Sequence, residues 1–355
     1  MSLVLPAEGG LRRVIGDGVD LPDGTVDGLT QGDLLSLYRN LVLLRTYDER
    51  SVVYHRQGRI GTYAIFWNHE AMQAGSVFAL EDRDWIFPAY RESAIGLLRG
   101  MPASTVLSWW RGHPAGWWDP REFNVASICV PIGTHIPHAV GFTWGSALKG
   151  EDRVALVLFG DGATSEGSFH EGATFAGVMK APVILFCNNN QWAISTPLAS
   201  QTAAPTLADK AIGYGIPGVR VDGADVLAVF EATREAVARA RAGEGPTFIE
   251  AVTYRSAPHA TADDPSLYID QERVDEERAH ECVGRYEAYL LRLGLLSEEQ
   301  AGEIKEDALA LMRAGIEAAE AEPPADVGLV FEHAYAAPPS GLAGDLAELR
   351  RVLGG

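Results

Sequence analysis

The sequence predicts a doubly wound α/β fold with a mostly parallel sheet. Val154–Phe159, Pro182–Cys187 and Pro246–Tyr254 are short apolar runs rich in branched residues, as strands buried on both faces are. Helical stretches, Phe169 to Met179 and Asp225 to Ala242, lie between them, and strand–helix alternation builds parallel sheets. The first two runs end in polar segments, Gly160–Asp161–Gly162 and Asn188–Asn189–Asn190. Ligands in such sheets bind at the carboxyl ends of strands.

In chain order, residues 1–30 are rich in Gly, Asp and Pro and read as an extended arm. Thr30–Gln31–Gly32–Asp33 then precedes Leu34, Leu35, Tyr38, Leu41 and Leu44, whose spacing of three and four marks an amphipathic helix. The α/β unit is placed at 31–270. Beyond Asp270 the chain turns helical and charged, giving a helical extension over 271–355. Ser297–Glu–Glu–Gln300 has the form of a capping box, and Pro323–Pro324 breaks the helix it starts.

At 47% hydrophobic and 22% charged residues, the 355-residue composition is that of ordinary globular proteins. A net charge of −19 argues against nucleic-acid binding, which calls for a basic patch. No run of about 18 apolar residues suggests a membrane span. The N-terminus shows no charged leader followed by an apolar stretch. Three cysteines without a CxxC pair fit a reducing cytosol, so a cytoplasmic location is expected. Cys129 and Cys187 sit in apolar runs and are expected in the core.

Asp161 and Asn190 lie 29 residues apart, about one strand–helix–strand unit. A crossover of that length brings both strand ends to one edge. One carboxylate and one amide oxygen suit Mg²⁺, which shares its shell with phosphate oxygens. The glycines at 160 and 162 permit close approach, and the following helix would aim its N-terminus at the anion. A Gly–Asp–Gly triplet alone is more often a turn; its pairing with an asparagine at this spacing is what points to a metal.

Gly160–Asp–Gly–Ala–Thr–Ser–Glu–Gly167, Asn189–Asn–Gln–Trp–Ala–Ile–Ser–Thr–Pro197 and Pro258–His–Ala–Thr–Ala–Asp–Asp–Pro265 resemble the alpha subunits of thiamine-diphosphate-dependent branched-chain 2-oxo acid and pyruvate dehydrogenases. The resemblance covers roughly residues 30–300. It implies Mg²⁺ held by the side chains of Asp161 and Asn190 and the carbonyl of Trp192. It implies a thiamine diphosphate site built from Tyr90, Arg91, Ile132, Gly160, Asp161, Gly162, Ala163, Asn190, Ile194 and His259. Arginine suits that role because its fork matches phosphate. Ile132 would pack against the cofactor, with Ile194 and Ser195 in the stretch beyond the metal. From hydropathy alone, Ile132 and Ile194 read as core residues.

His259 matches a histidine that contacts the diphosphate near the reacting 2-oxo acid, where a near-neutral pKa would let it shuttle a proton. His170 and Glu166 would buttress the site or a subunit interface. The ylid requires a glutamate. No second strand–helix series follows Tyr254, so the resemblance implies that a separate beta subunit supplies it. An α2β2 assembly passing its acyl group to a lipoyl acyltransferase core is expected.

Some segments depart from the pattern. Asn68–His69–Glu70–Ala71 stands where relatives carry Gly–Gln–Glu–Ala, and His113 lies near the place of a substrate-side histidine. Val130 and His135 replace the serine and glutamine of relatives that bind potassium. Tyr268–Ile269 lacks the usual arginine after the tyrosine, and Ala260 replaces a regulatory serine. The expected activity is oxidative decarboxylation of a branched-chain 2-oxo acid, with pyruvate or acetoin dehydrogenase as alternatives. A non-catalytic assembly paralogue is the reading from another class.

Overall fold

The computed structural model describes residues 10–15, 28–332 and 334–353. Most of the arm expected over 1–30 therefore lies outside the described residues. The strands are β1 (Trp85–Phe87), β2 (Ala155–Gly160), β3 (Val183–Asn189), β4 (Trp192–Ala193), β5 (Thr196–Pro197), β6 (Gly218–Asp222) and β7 (Thr247–Val252). Five form one sheet in the order β1–β2–β3–β7–β6, with every neighbouring pair parallel. β4 and β5 form a separate antiparallel pair.

The apolar runs are fully apolar because both faces are covered. Ala155, Val157, Phe159, Val183, Leu185 and Cys187 pack with the helices His135–Leu148 and Gly167–Met179. Leu156, Leu158, Ile184 and Phe186 pack on the other face with the helices Glu70–Phe78 and Val226–Arg241. This is the doubly wound arrangement the sequence predicts.

A further core lies outside these layers. Gln31–Arg56 packs there with Cys282–Arg292 and Glu298–Ala321. Capping boxes at Thr30 and Ser297 start the first and last of these helices, the second as its sequence indicates. Asp225 caps Val226–Arg241 through Oδ1, while its Oδ2 accepts from the backbone of Val14 and Ile15 at 2.7 and 2.6 Å.

Because the sheet is parallel, all five strand exits share one edge, and four of them matter here. β1 leads into the 3₁₀ helix Tyr90–Arg99, and β2 into the 3₁₀ turn Asp161–Ser165. β3 leads to Asn190 and β4, and β7 to the segment 253–259. One expectation needs correction here. No α-helix starts directly after Gly162; the 3₁₀ turn intervenes and the helix begins at Gly167. The first free amides beside Asp161 are therefore those of a tight turn.

Candidate functional site

A cavity of about 210 Å³ opens at this edge. Its wall gathers Tyr90 and Arg91 from the β1 exit and Gly160, Asp161, Gly162 and Ala163 from the β2 exit. Asn190, Trp192 and Ile194 come from the β3 exit, His259 from beyond β7, and Ile132 from the loop before His135–Leu148. The fold thus brings residues 90 to 259 of the sequence reading to one place.

Asp161 is 1% exposed, and its Oδ2 accepts from Gln201 Nε2 at 2.7 Å. Burial pushes its pKa up, against weaker opposing effects from Gln201, Arg255 and Arg91. Asn190 Oδ1 accepts from the Trp192 amide at 3.1 Å. The Trp192 carbonyl accepts from Arg255 Nη1 at 3.3 Å. Among the described residues no group of three His, Cys, Asp or Glu is arranged to hold a metal. The available donor set is one carboxylate, one amide and one carbonyl, all hard oxygen.

Gly162 sets the spacing. A Cβ there would sit 2.8 Å from the Ala193 Cβ, so only glycine lets the turn lie against β4. Gly133, at φ +76, occupies the left-handed region in the loop that carries Ile132.

Two buried guanidinium groups back the cavity. Arg91 donates to the Ile65 carbonyl and, through Nη2, to His259 Nδ1 at 3.0 Å. That bond leaves the imidazole proton on Nε2. Arg255 is 1% exposed and donates to the Ile194 carbonyl at 2.6 Å and to the Tyr268 hydroxyl at 3.0 Å. Burial, then Arg91 and Arg255, push His259 down to about 4. The expected near-neutral histidine is therefore a neutral one that presents Nε2–H. Burial and the same two arginines hold His69 well below the usual imidazole range. A chain of net charge −19 thus keeps a positive field at this edge, which suits a polyanion.

The rim is apolar and uncovered. Ile132, Ile194 and Val130 are 44%, 57% and 55% exposed, so the core reading of Ile132 and Ile194 is wrong. Ile194 also has φ 55, rare for a β-branched residue. Cys187 is buried as expected, but Cys129 is half-exposed on the cavity wall, bonded to Pro131 and Thr134. Ser195 is exposed and outside the wall.

The departing segments have definite places. Asn68, at φ 67, bonds to Thr253 and to the Cys282 amide. His69 is buried, and neither ring nitrogen has a partner. His113 lies outside the cavity wall; its Nε2 meets the Pro323 carbonyl at 2.9 Å. His135 is buried, donating from Nε2 to the Leu158 carbonyl at 2.7 Å. His170 is exposed and pairs with Tyr214, whereas Glu166 reaches the cavity. Tyr268 joins Asp263 and Arg255 without the missing arginine.

Sequence reasoning missed Arg255, Glu92 and Gln201. Arg255 follows β7 by three residues, so searching every strand exit for ligands, and not only two, would have found it.

The family model described as "Dehydrogenase E1 component" matches residues 38–327. The chain is 43% identical over 342 residues to the 3-methyl-2-oxobutanoate dehydrogenase subunit alpha of Mycobacterium tuberculosis, covering 94% of this chain and 92% of that one. It is 38% identical to the 2-oxoisovalerate dehydrogenase subunit alpha of Bacillus subtilis, covering 87% and 97% of the two chains. It is 40% identical to a pyruvate dehydrogenase E1 component subunit alpha of Staphylococcus epidermidis, covering 92% and 89%.

Proposed function

The chain belongs to the dehydrogenase E1 component family, and from that premise we propose that it is the alpha subunit of a thiamine-diphosphate-dependent dehydrogenase of branched-chain 2-oxo acids such as 3-methyl-2-oxobutanoate. The observation that carries this reading is the meeting of an oxygen donor set with the buried Arg91 in one cavity, backed by the buried Arg255 on the Trp192 carbonyl. A nearly inaccessible carboxylate with one amide donor, Asp161, suits a divalent cation. Arg91 and the field of Arg255 suit a diphosphate. The residues present therefore fit the cofactor's charged half.

Asp161, Asn190 and the Trp192 carbonyl would hold Mg²⁺. Tyr90, Arg91 and His259 would hold the diphosphate, with Gly160, Gly162 and Ala163 forming the floor. Thiamine diphosphate supplies an ylid and an electron sink for decarboxylation. His259, neutral with its proton on Nε2, donates a hydrogen bond toward the anionic ligand and supplies no imidazolium. Ile132 and Ile194 keep water from the cofactor-facing wall.

The uncovered rim fits a beta subunit that closes the cavity and contributes the ylid-forming glutamate. The assembly would be α2β2, passing its acyl group to a lipoyl acyltransferase core. No helix among the described residues is long and apolar enough to cross a membrane, and a cytoplasmic setting fits the free cysteines. The retained site weighs against a purely assembling paralogue, which has no use for it.

Pyruvate is the second reading, favoured by the 40% identity to a pyruvate dehydrogenase alpha subunit. Co-purified alpha and beta chains assayed with both substrates separate the two. One methylene is worth about 1–3 kcal/mol in an apolar pocket, so kcat/KM should favour the branched substrate by roughly tenfold or more. A preference for pyruvate would establish the second reading. Turnover by this chain alone would refute the divided site.

A further inference from the structure

Three residues of the cavity wall each carry a buried acceptor that has no donor among the described residues: Glu92 Oε2, Asn188 Oδ1 and His135 Nδ1. The residues are 1%, 2% and 5% exposed. Glu92 Oε1 accepts from Asn188 Nδ2 at 2.6 Å. Among the described residues no arginine or lysine is hydrogen-bonded to Glu92; the neighbouring Arg91 directs its guanidinium to Ile65 and His259. Where these three atoms meet the cavity they offer only acceptors, and none of them can receive a phosphate oxygen, which is itself an acceptor. An ionised Glu92 would also repel the anion through a low-dielectric interior. One proton on the carboxyl removes both obstacles.

We propose that Glu92 serves the cofactor-bound site as a neutral acid, donating from Oε2 to a diphosphate oxygen while Asn188 steadies Oε1. Loading the cofactor therefore draws one proton from solvent. This inference rests on the reading of the cavity as a diphosphate site. The ionisable groups around it are consistent with it. Arg91 lies on the same element and opposes protonation, but burial outweighs it and holds Glu92 at about 7 before any anion arrives. From β3, Cys187 is held protonated by burial. His135, from the adjoining helix, is held neutral by burial. At the cavity's other exits stand Asp161, His259 and Arg255. A diphosphate adds negative charge and moves the carboxyl further up.

The test is calorimetric titration of the purified alpha–beta complex with thiamine diphosphate at saturating Mg²⁺ and pH 8, in buffers of different ionisation enthalpy. From a carboxyl near 7, wild type should take up ~0.9 proton per site. Glu92→Gln should lose that uptake yet bind within about threefold of wild type, because its amide still donates. Glu92→Ala should bind about tenfold or more weakly. Uptake unchanged in Glu92→Gln, or absent from wild type, overturns the proposal. If Glu92→Gln does not assemble, wild type decides: uptake at pH 8 that shrinks at pH 6 supports the proposal, and equal uptake overturns it. Failure of wild type to bind the cofactor at all would instead strike the functional reading beneath it.

Discussion

Replacing Gly162 by alanine places a methyl carbon 2.8 Å from the Ala193 Cβ. Ordinary contact begins near 3.4 Å, so the 3₁₀ turn and β4 must separate by about 0.6 Å. Gly162 does not occupy the left-handed region, so alanine tests the contact and not the backbone. The turn carries Asp161, while β4 begins at Trp192 and leads to Ile194. Separation therefore pulls the carboxylate away from the carbonyl expected to share its cation. Overpacking of this kind costs about 1–3 kcal/mol in stability. A 1 Å misplacement can cost ~100-fold in function, so roughly tenfold weaker cofactor binding is expected here. Calorimetry of the alpha–beta complex with thiamine diphosphate and Mg²⁺ measures the loss. The control is Gly162→Ala combined with Ala193→Gly, which removes the opposing methyl and should recover most of the affinity, a coupling of about 1 kcal/mol. Wild-type affinity in the single variant, or no recovery in the double, would refute the contact's role.

Asp161→Asn should abolish Mg²⁺-dependent cofactor binding, and an unchanged Kd by calorimetry would remove Asp161 from the ligand set. Arg255→Met strips donors from the Trp192 and Ile194 carbonyls, and should cost about 2–4 kcal/mol in urea unfolding; an unchanged midpoint would make the tether idle. Burial raises Glu92 from 4.5 to about 7, a stabilising contribution of about 3 kcal/mol that is fully present below pH 4.5 and lost as pH rises through 7. Without cofactor, Glu92→Gln should therefore flatten the fall of Tm between pH 5 and 8. A gap from wild type that does not change with pH would contradict this.

The central strands β2 and β3 were legible because burial on both faces leaves no polar position between Ala155 and Phe159 or between Val183 and Cys187. β2 and β3 differ from the apolar runs by only one or two residues at their ends. The three-residue β1 and the half-covered β6 carry no comparable signal. Asp161 and Asn190 were legible because one crossover fixes their relation. Arg255 and Glu92 were not, since each is a single charged letter whose meaning depends on which strand exits adjoin. The low pKa of His259 was equally hidden: Arg91, which helps set it, lies 168 residues away in sequence. Hydropathy could not separate Ile132 and Ile194 from core residues, because a cofactor-facing wall and a core use the same side chains.

Ile194 holds a backbone angle that costs about 1–3 kcal/mol for such a residue, and the buried Arg255 grips its carbonyl. Glycine at 194 would relax the angle and stabilise the isolated fold, while stripping the sec-butyl face from the cavity. Selection for heat resistance alone would therefore drift toward that exchange and return a sturdier protein with a poorer site. Thermal screens of this chain need a cofactor-affinity filter at this residue, where endurance and activity pull in opposite directions.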